Sequence, residues 1–130
     1  MVNAAAYLLE VGEPEKVAIE SDDGSITYGR LRDRVARAAG VWRSLGLETG
    51  ERVLVLAPDS IGWVEAYLGA IWAGGVAVGL NSRLFERELS VIRRRVRRPV
   101  RVVHSGDGRV VRTLRGGGGG WSRARKRGLV

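Results

Sequence analysis

The sequence has no cysteine among its 130 residues. Disulfides, thiol nucleophiles and Cys-based zinc sites are therefore excluded. It has a single histidine, His104, so a multi-histidine metal centre is excluded as well. The N-terminus, MVNAAAYLLEVGE, lacks a basic leader region and meets Glu10 too early for a secretory signal. The longest uncharged run, Ala66 to Ser82, is broken by Gly74-Gly75 and is short for a membrane helix. The expectation is a soluble, cytoplasmic chain of one domain at most.

Acidic residues are almost missing from one end. Residues 1–92 carry 9 Lys and Arg against 13 Asp and Glu, a net charge of −4. Residues 93–130 carry 13 Lys and Arg against a single Asp, a net charge of +12. The composition changes at Arg93, which divides the chain into residues 4–95 and a basic, Arg- and Gly-rich tail over 96–130.

The stretch from Thr49 to Ser82 organises the rest. Arg52 to Ala57 (RVLVLA) is a short apolar run without strict alternation, the pattern of a strand covered on both faces. Pro58 closes it, since it lacks the N–H a ladder needs. Asp59 or Ser60 can cap a helix that continues to about Ala73. Ile61, Val64, Leu68, Ile71 and Trp72 lie on one side of that helix, Trp63, Tyr67 and Ala70 on the other, and its one charge is Glu65. A helix apolar nearly all round is buried between other elements. Gly74 and Gly75 permit a left-handed stop. Val76 to Leu80 is a second apolar strand, and the pair makes a βαβ unit with parallel, adjacent strands.

Upstream, Asn3 caps a short helix to Val11, GEPEK (Gly12 to Lys16) turns the chain, and Asp22-Asp23-Gly24 sits at a β-hairpin turn. Thr27 caps a longer helix, in which Leu31, Val35, Ala38, Ala39, Trp42 and Leu45 recur at helical spacing and Gly46 ends the run. Downstream, a polar turn from Asn81 to Arg83 leads to a helical pattern from Leu84 to about Arg95.

Each tempting site has a plainer explanation. His104-Ser105-Gly106-Asp107 holds the residue types of a hydrolase triad, but sequence neighbours rarely assemble one. Gly74-Gly75 follows a helix, whereas phosphate loops precede one. Trp42, Trp63 and Trp72 sit on apolar helical sides and read as core. Arg30, Arg32, Arg34 and Arg37 read as a solvated helix side.

The order ITYGRL, RVARAAGVWRSLGLETGERVLVLAPDS, YLGAIWAGGVAVGLNSRL and ERELSVI resembles the opening of the adenylate-forming (AMP-binding) superfamily, which includes acyl- and aryl-CoA ligases, luciferases and peptide-synthetase adenylation domains. Thr27-Tyr28, Leu45-Gly46, Gly50 to Val53, Pro58-Asp59-Ser60, Ala73-Gly74 and Asn81 to Leu89 carry it in register, over about residues 4–92. The Asn81 to Leu84 turn leans toward the acyl- or aryl-CoA ligase branch. The resemblance implies an α/β fold: a partial parallel-sheet layer with flanking helices, an incomplete N-terminal subdomain and, beyond it, a disordered basic tail. It also implies ATP, Mg²⁺ and CoA as the cofactors of intact members. Arg83 is then the one candidate binding residue, a CoA-phosphate contact, because a guanidinium suits phosphate; a plain surface role is the alternative.

The motifs that do the chemistry in that family are not in this sequence. There is no Ser/Thr/Gly-rich loop ending in Pro-Lys; the Gly116 to Gly120 run has neither hydroxyls nor a following Pro-Lys. Later motifs for adenine, Mg²⁺ and ribose and the C-terminal Lys are missing too, so no catalytic or metal residue and no bound cofactor is assigned to this chain. From residue 93 the sequence departs from the family's pattern: Pro99 to Val103 can form one strand, and Gly106 to Val130 reads as largely disordered, its few apolar residues too scattered to offset ordering. Two functional readings stand: a truncated or frameshifted opening of an ATP-dependent CoA ligase, not competent alone, or a small basic protein whose tail contacts nucleic acid or acidic surfaces.

Overall fold

A computed structural model describes residues 2–22, 24–80, 91, 100–104, 112–116 and 122–123. The chain opens with α1 (Ala4–Glu10), followed by a hairpin of β1 (Val17–Ser21) and β2 (Gly24–Thr27), then α2 (Tyr28–Ser44). β3 (Arg52–Leu56), α3 (Ile61–Trp72) and β4 (Val76–Gly79) form the βαβ unit, and β5 (Val100–His104), β6 (Arg112–Gly116) and β7 (Ser122–Arg123) follow.

The helices begin and end where side chains and glycines satisfy their free backbone groups. Asn3 Oδ1 accepts from the Ala5 and Ala6 amides, which starts α1. Its Nδ2 donates to the Ile71 and Trp72 carbonyls at 2.9 and 3.4 Å, so the same residue also caps the end of α3. Thr27 Oγ1 accepts from the Arg30 amide and Ser60 Oγ from the Trp63 amide. Helices α2 and α3 end alike. Gly46 and Gly74 sit at φ 78° and 96°, a region a Cβ penalises. The next amides, of Leu47 and Gly75, bond back to the Trp42 and Ala70 carbonyls.

β3 is an inner strand, second from one edge, of a five-stranded sheet of order β4-β3-β5-β6-β7. β4 and β5 both run parallel to it, with Arg52 opposite Val76 on one side and Val100 on the other. The near-continuous apolar run of β3 follows from this position: Val53, Leu54, Val55 and Leu56 are all buried. Val53 and Val55 pack with Trp42, Leu47, Ala66 and Ala70. The other side of α3, Ile61, Val64, Leu68 and Trp72, packs against Leu9, Ile26, Leu31 and Val35. α3 is thus sandwiched between the sheet and the α1–hairpin–α2 layer, as its all-round apolar sequence requires. Gly69 lets α2 and α3 approach: a Cβ there would lie 2.6 Å from Ala38 Cβ. Trp42 is fully buried, and its indole N–H donates to the Ala66 carbonyl at 3.2 Å.

The tail departs from expectation at two places. Arg112–Gly116 and Ser122–Arg123 are strands, antiparallel to β5 and β6 respectively. Once β5 docks on β3 it exposes a row of backbone donors and acceptors, and a neighbouring segment can satisfy these whatever its side-chain pattern. These two short strands are the described part of the segment expected to be largely disordered; the rest of Gly106 to Val130 lies outside the described residues. So do the turn with Arg83 and the helix expected from Leu84 to about Arg95, except for Val91, which is helical.

Candidate functional site

Two features of the described fold face solvent with chemical character. The first is the outer end of β3. Because β4 and β5 flank β3 on opposite sides, the order of winding reverses there. In open α/β sheets such a reversal leaves a crevice beyond the carboxyl ends of the strands, where ligands bind. The turn from Ala57 to Ser60 and the start of α3 lie at that end of β3. Pro58 and Asp59 are exposed, and Ser60 is committed to capping the Trp63 amide. Trp63 stacks on Tyr67, ring centroids 4.8 Å apart and planes 13° apart, alongside the end of β4.

The second is a cleft of about 280 Å³ between α2 and α3, lined by Arg30, Asp33, Arg34, Arg37, Ala38, Val41 and Glu65. Spacings of four and three residues bring Arg30, Arg34 and Arg37 to one face of α2. Arg34 Nε lies 2.7 Å from Glu65 Oε1, an ion-pair contact without the alignment of a good hydrogen bond. Burial raises the Glu65 carboxyl above its ordinary pKa, and Arg34 draws it partly back. The Arg side of α2 is therefore more than a solvated face: one guanidinium answers the single charge of α3. The signal was present in the sequence as a lone Glu in an apolar helix opposite a helix with arginines every three or four residues. Arg32 lies 3.6 Å from Glu10 in a second, exposed pair. This cleft has no nucleophile, and its Glu65 carboxylate faces the Arg34 guanidinium. Among the described residues, no cluster of three metal-ligating side chains occurs, and no helix is long and apolar enough to cross a membrane.

Arg83, the binding residue suggested by sequence, lies outside the described residues. His104 ends β5, and its neighbours Ser105 to Asp107 are outside the description too. Trp42 is core; Trp63 is half-buried against its cluster and Trp72 against Leu9, Ile26, Leu31 and Val35, as their helical positions indicated.

The profile of the AMP-binding enzyme family matches residues 10–114. The chain belongs to that family. The match passes residue 92, where the sequence pattern ceased to be readable, and takes in all of β5 and the first part of β6. Among curated proteins, the 3-hydroxybenzoate–CoA ligase of Aromatoleum sp. (strain CIB) is 40% identical over 84 residues, covering 65% of this chain but 16% of that enzyme. Among solved structures, a benzoate CoA ligase from Burkholderia xenovorans LB400 superposes with a TM-score of 0.75 at 35% identity, over 83% of this chain and 22% of that one. ATP-bound MatB from Rhodopseudomonas palustris superposes with a TM-score of 0.64, also at 35% identity, over 69% of this chain and 18% of its own. The chain thus corresponds to about a sixth to a fifth of the length of these relatives, and what it matches is an acyl- or aryl-CoA ligase-like region.

Proposed function

We propose that this chain supplies the opening α/β layer of an ATP-dependent aryl- or acyl-CoA ligase, and that its role there is to frame the site rather than to perform the reaction. The observation that carries this reading is the family match over residues 10–114 in a sequence with no Ser/Thr/Gly-Pro-Lys phosphate loop. Adenylation transfers AMP to a carboxylate with loss of pyrophosphate. It needs donors and cations arranged around the phosphates. Three of the described polar groups are otherwise engaged: Ser60 caps α3, Arg34 pairs with Glu65, and Asn3 joins α1 to α3. What the layer offers is the rigid strand β3, its outward turn at Pro58 to Ser60, and the start of α3 beside the crevice. Arg83 is the proposed contact to a CoA phosphate in the assembled enzyme. ATP, Mg²⁺ and CoA are bound chiefly by residues of the remaining fold. The aromatic acids named for the relatives favour an aryl acid as the substrate class.

The purified chain is expected to show no ATP–pyrophosphate exchange with benzoate, hydroxybenzoates or fatty acids. Acid-dependent exchange that persists through repurification, and is lost in a Trp42→Ala variant, would place the chemistry on this chain and overturn the reading.

A further inference from the structure

We propose that the cleft between α2 and α3 is a binding site for a small polyanion, an ion with two or more phosphate or carboxylate groups, held by Arg30, Arg34 and Arg37. The three arginines follow at four- and three-residue spacing and so stand on one side of α2. From Arg30 to Arg37 the helix rises about 10 Å. Asp33 and Glu65 are the carboxylates of the cleft, and Ala38 and Val41 continue its lining along α2.

The guanidiniums have donors to spare. Arg34 answers Glu65 through Nε at 2.7 Å, yet Glu65 Oε1 is still without a well-aligned donor. Among the described residues, the side chains of Arg30 and Arg37 have no hydrogen-bond or ion-pair partner. All three arginines are exposed. Their placement also opposes the electrostatics of the helix that carries them. The N-terminal end of a helix bears partial positive charge and favours anions. The first turn of α2 holds Arg30 and no acidic residue, and Arg32 and Arg34 follow in the second. Like charges three or four residues apart repel one another as well. Arg32 reaches Glu10 and Arg34 reaches Glu65, which leaves Arg30 and Arg37 uncompensated. A helix that breaks its local preferences on one face marks a functional place, since such conflicts concentrate where a chain does more than fold.

A bound anion supplies the missing charge. It must be multivalent, because the cations are spread over two turns and the carboxylates of the cleft oppose it. It must be small, because the cleft holds about 280 Å³, at the foot of the size range of small-molecule pockets. A guanidinium fork matches the paired oxygens of phosphate and carboxylate alike.

The test titrates the full chain with inorganic pyrophosphate and, in a second arm, with citrate, at constant ionic strength and without divalent metal. The Arg34 Nε–H resonance is followed, because the basic residues beyond 92 attract anions in every variant and a bulk signal would report them too. The resonance is expected to shift and saturate. Arg30→Gln combined with Arg37→Gln keeps good helix formers at exposed positions and is expected to weaken binding at least about tenfold. Glu65→Gln removes an opposing charge and is expected to tighten binding about threefold or more. Saturation by pyrophosphate alone identifies phosphates as the ligand class, and by citrate alone carboxylates; either upholds the site. A resonance that moves with neither ion, equal affinity in wild type and the double variant, or weaker binding in Glu65→Gln overturns it. Tighter binding of a polyglutamate peptide than of either ion would assign this face to a protein partner and overturn it too.

Discussion

The two halves of the sheet reach the same secondary structure by different means. β3 and β4 lie under α3, and their side chains are part of a continuous core with Trp42, Ala66 and Ala70. β5 to β7 come from a segment in which Arg is the dominant residue, and they extend the sheet by backbone pairing from β3 outward. The first half is specified by side-chain pattern. The second is specified by an edge that needs a partner. The difference teaches that a strand docked on a buried neighbour inherits order from it, even where its own hydrophobic pattern is thin.

The largest expected effect breaks the first half. Trp42→Ala removes the indole that joins α2, α3 and the sheet, and is expected to cost about 3–5 kcal/mol, enough to unfold a chain of this size in urea-free buffer. Loss of cooperative denaturant unfolding would show it. Removal of residues 105–130 should cost less, because β5 keeps β3 as its partner. If truncation proves as damaging as Trp42→Ala, the division between the halves is wrong.

Gly69→Val tests the helix–helix contact of the first half. Even the first added carbon meets Ala38 Cβ at 2.6 Å, and overpacking of this kind costs about 1–3 kcal/mol. The shift in urea midpoint measures it, and a midpoint equal to wild type would mean that α2 and α3 are farther apart than described. Asn3→Ala should cost about 1–2 kcal/mol, at the upper end for a cap because Asn3 serves α1 and α3 together. Thermal melting read beside Asn3→Ser, which restores the first cap and not the second, separates the two contributions.

The chain's front half was largely legible. The capping residues Asn3, Thr27 and Ser60 and the stops at Gly46 and Gly74 each act through local chemistry, and local chemistry is written in sequence. The parallel pairing of β3 with β4 followed from the helix between them. β6 and β7 were not legible, since the feature that orders them, the edge of β5, belongs to another segment. The Arg34–Glu65 pair was missed for a related reason: an arginine on a polar helix side reads as solvated until the neighbouring helix is placed. Of the candidate site, the turn at Pro58 to Ser60 was visible. The reversal of winding was not, because it exists only when β5 lies beside β3.

The smallest effect concerns that ion pair. Burial raises the Glu65 pKa above the ordinary 4.5, so in the window between the ordinary and raised values the folded chain holds a proton that the unfolded chain has lost. The contribution of Glu65 to stability is full below the ordinary value and fades as pH rises through the raised one. The stability difference between wild type and Glu65→Gln should therefore move against wild type as pH increases through that window, since the other carboxylates are common to both. A difference that moves the other way would mean that Arg34 dominates over burial.

One measurement bears most directly on the central claim, that this chain is a framing layer for chemistry done elsewhere in an AMP-binding ligase. Residues 10–114, the extent of the family match, replace the corresponding segment of the Burkholderia xenovorans benzoate CoA ligase, and benzoate-dependent ATP–pyrophosphate exchange is assayed. The account predicts exchange in the chimera and none in the isolated chain. A chimera that folds cooperatively yet fails to exchange, or an isolated chain that exchanges, would contradict it.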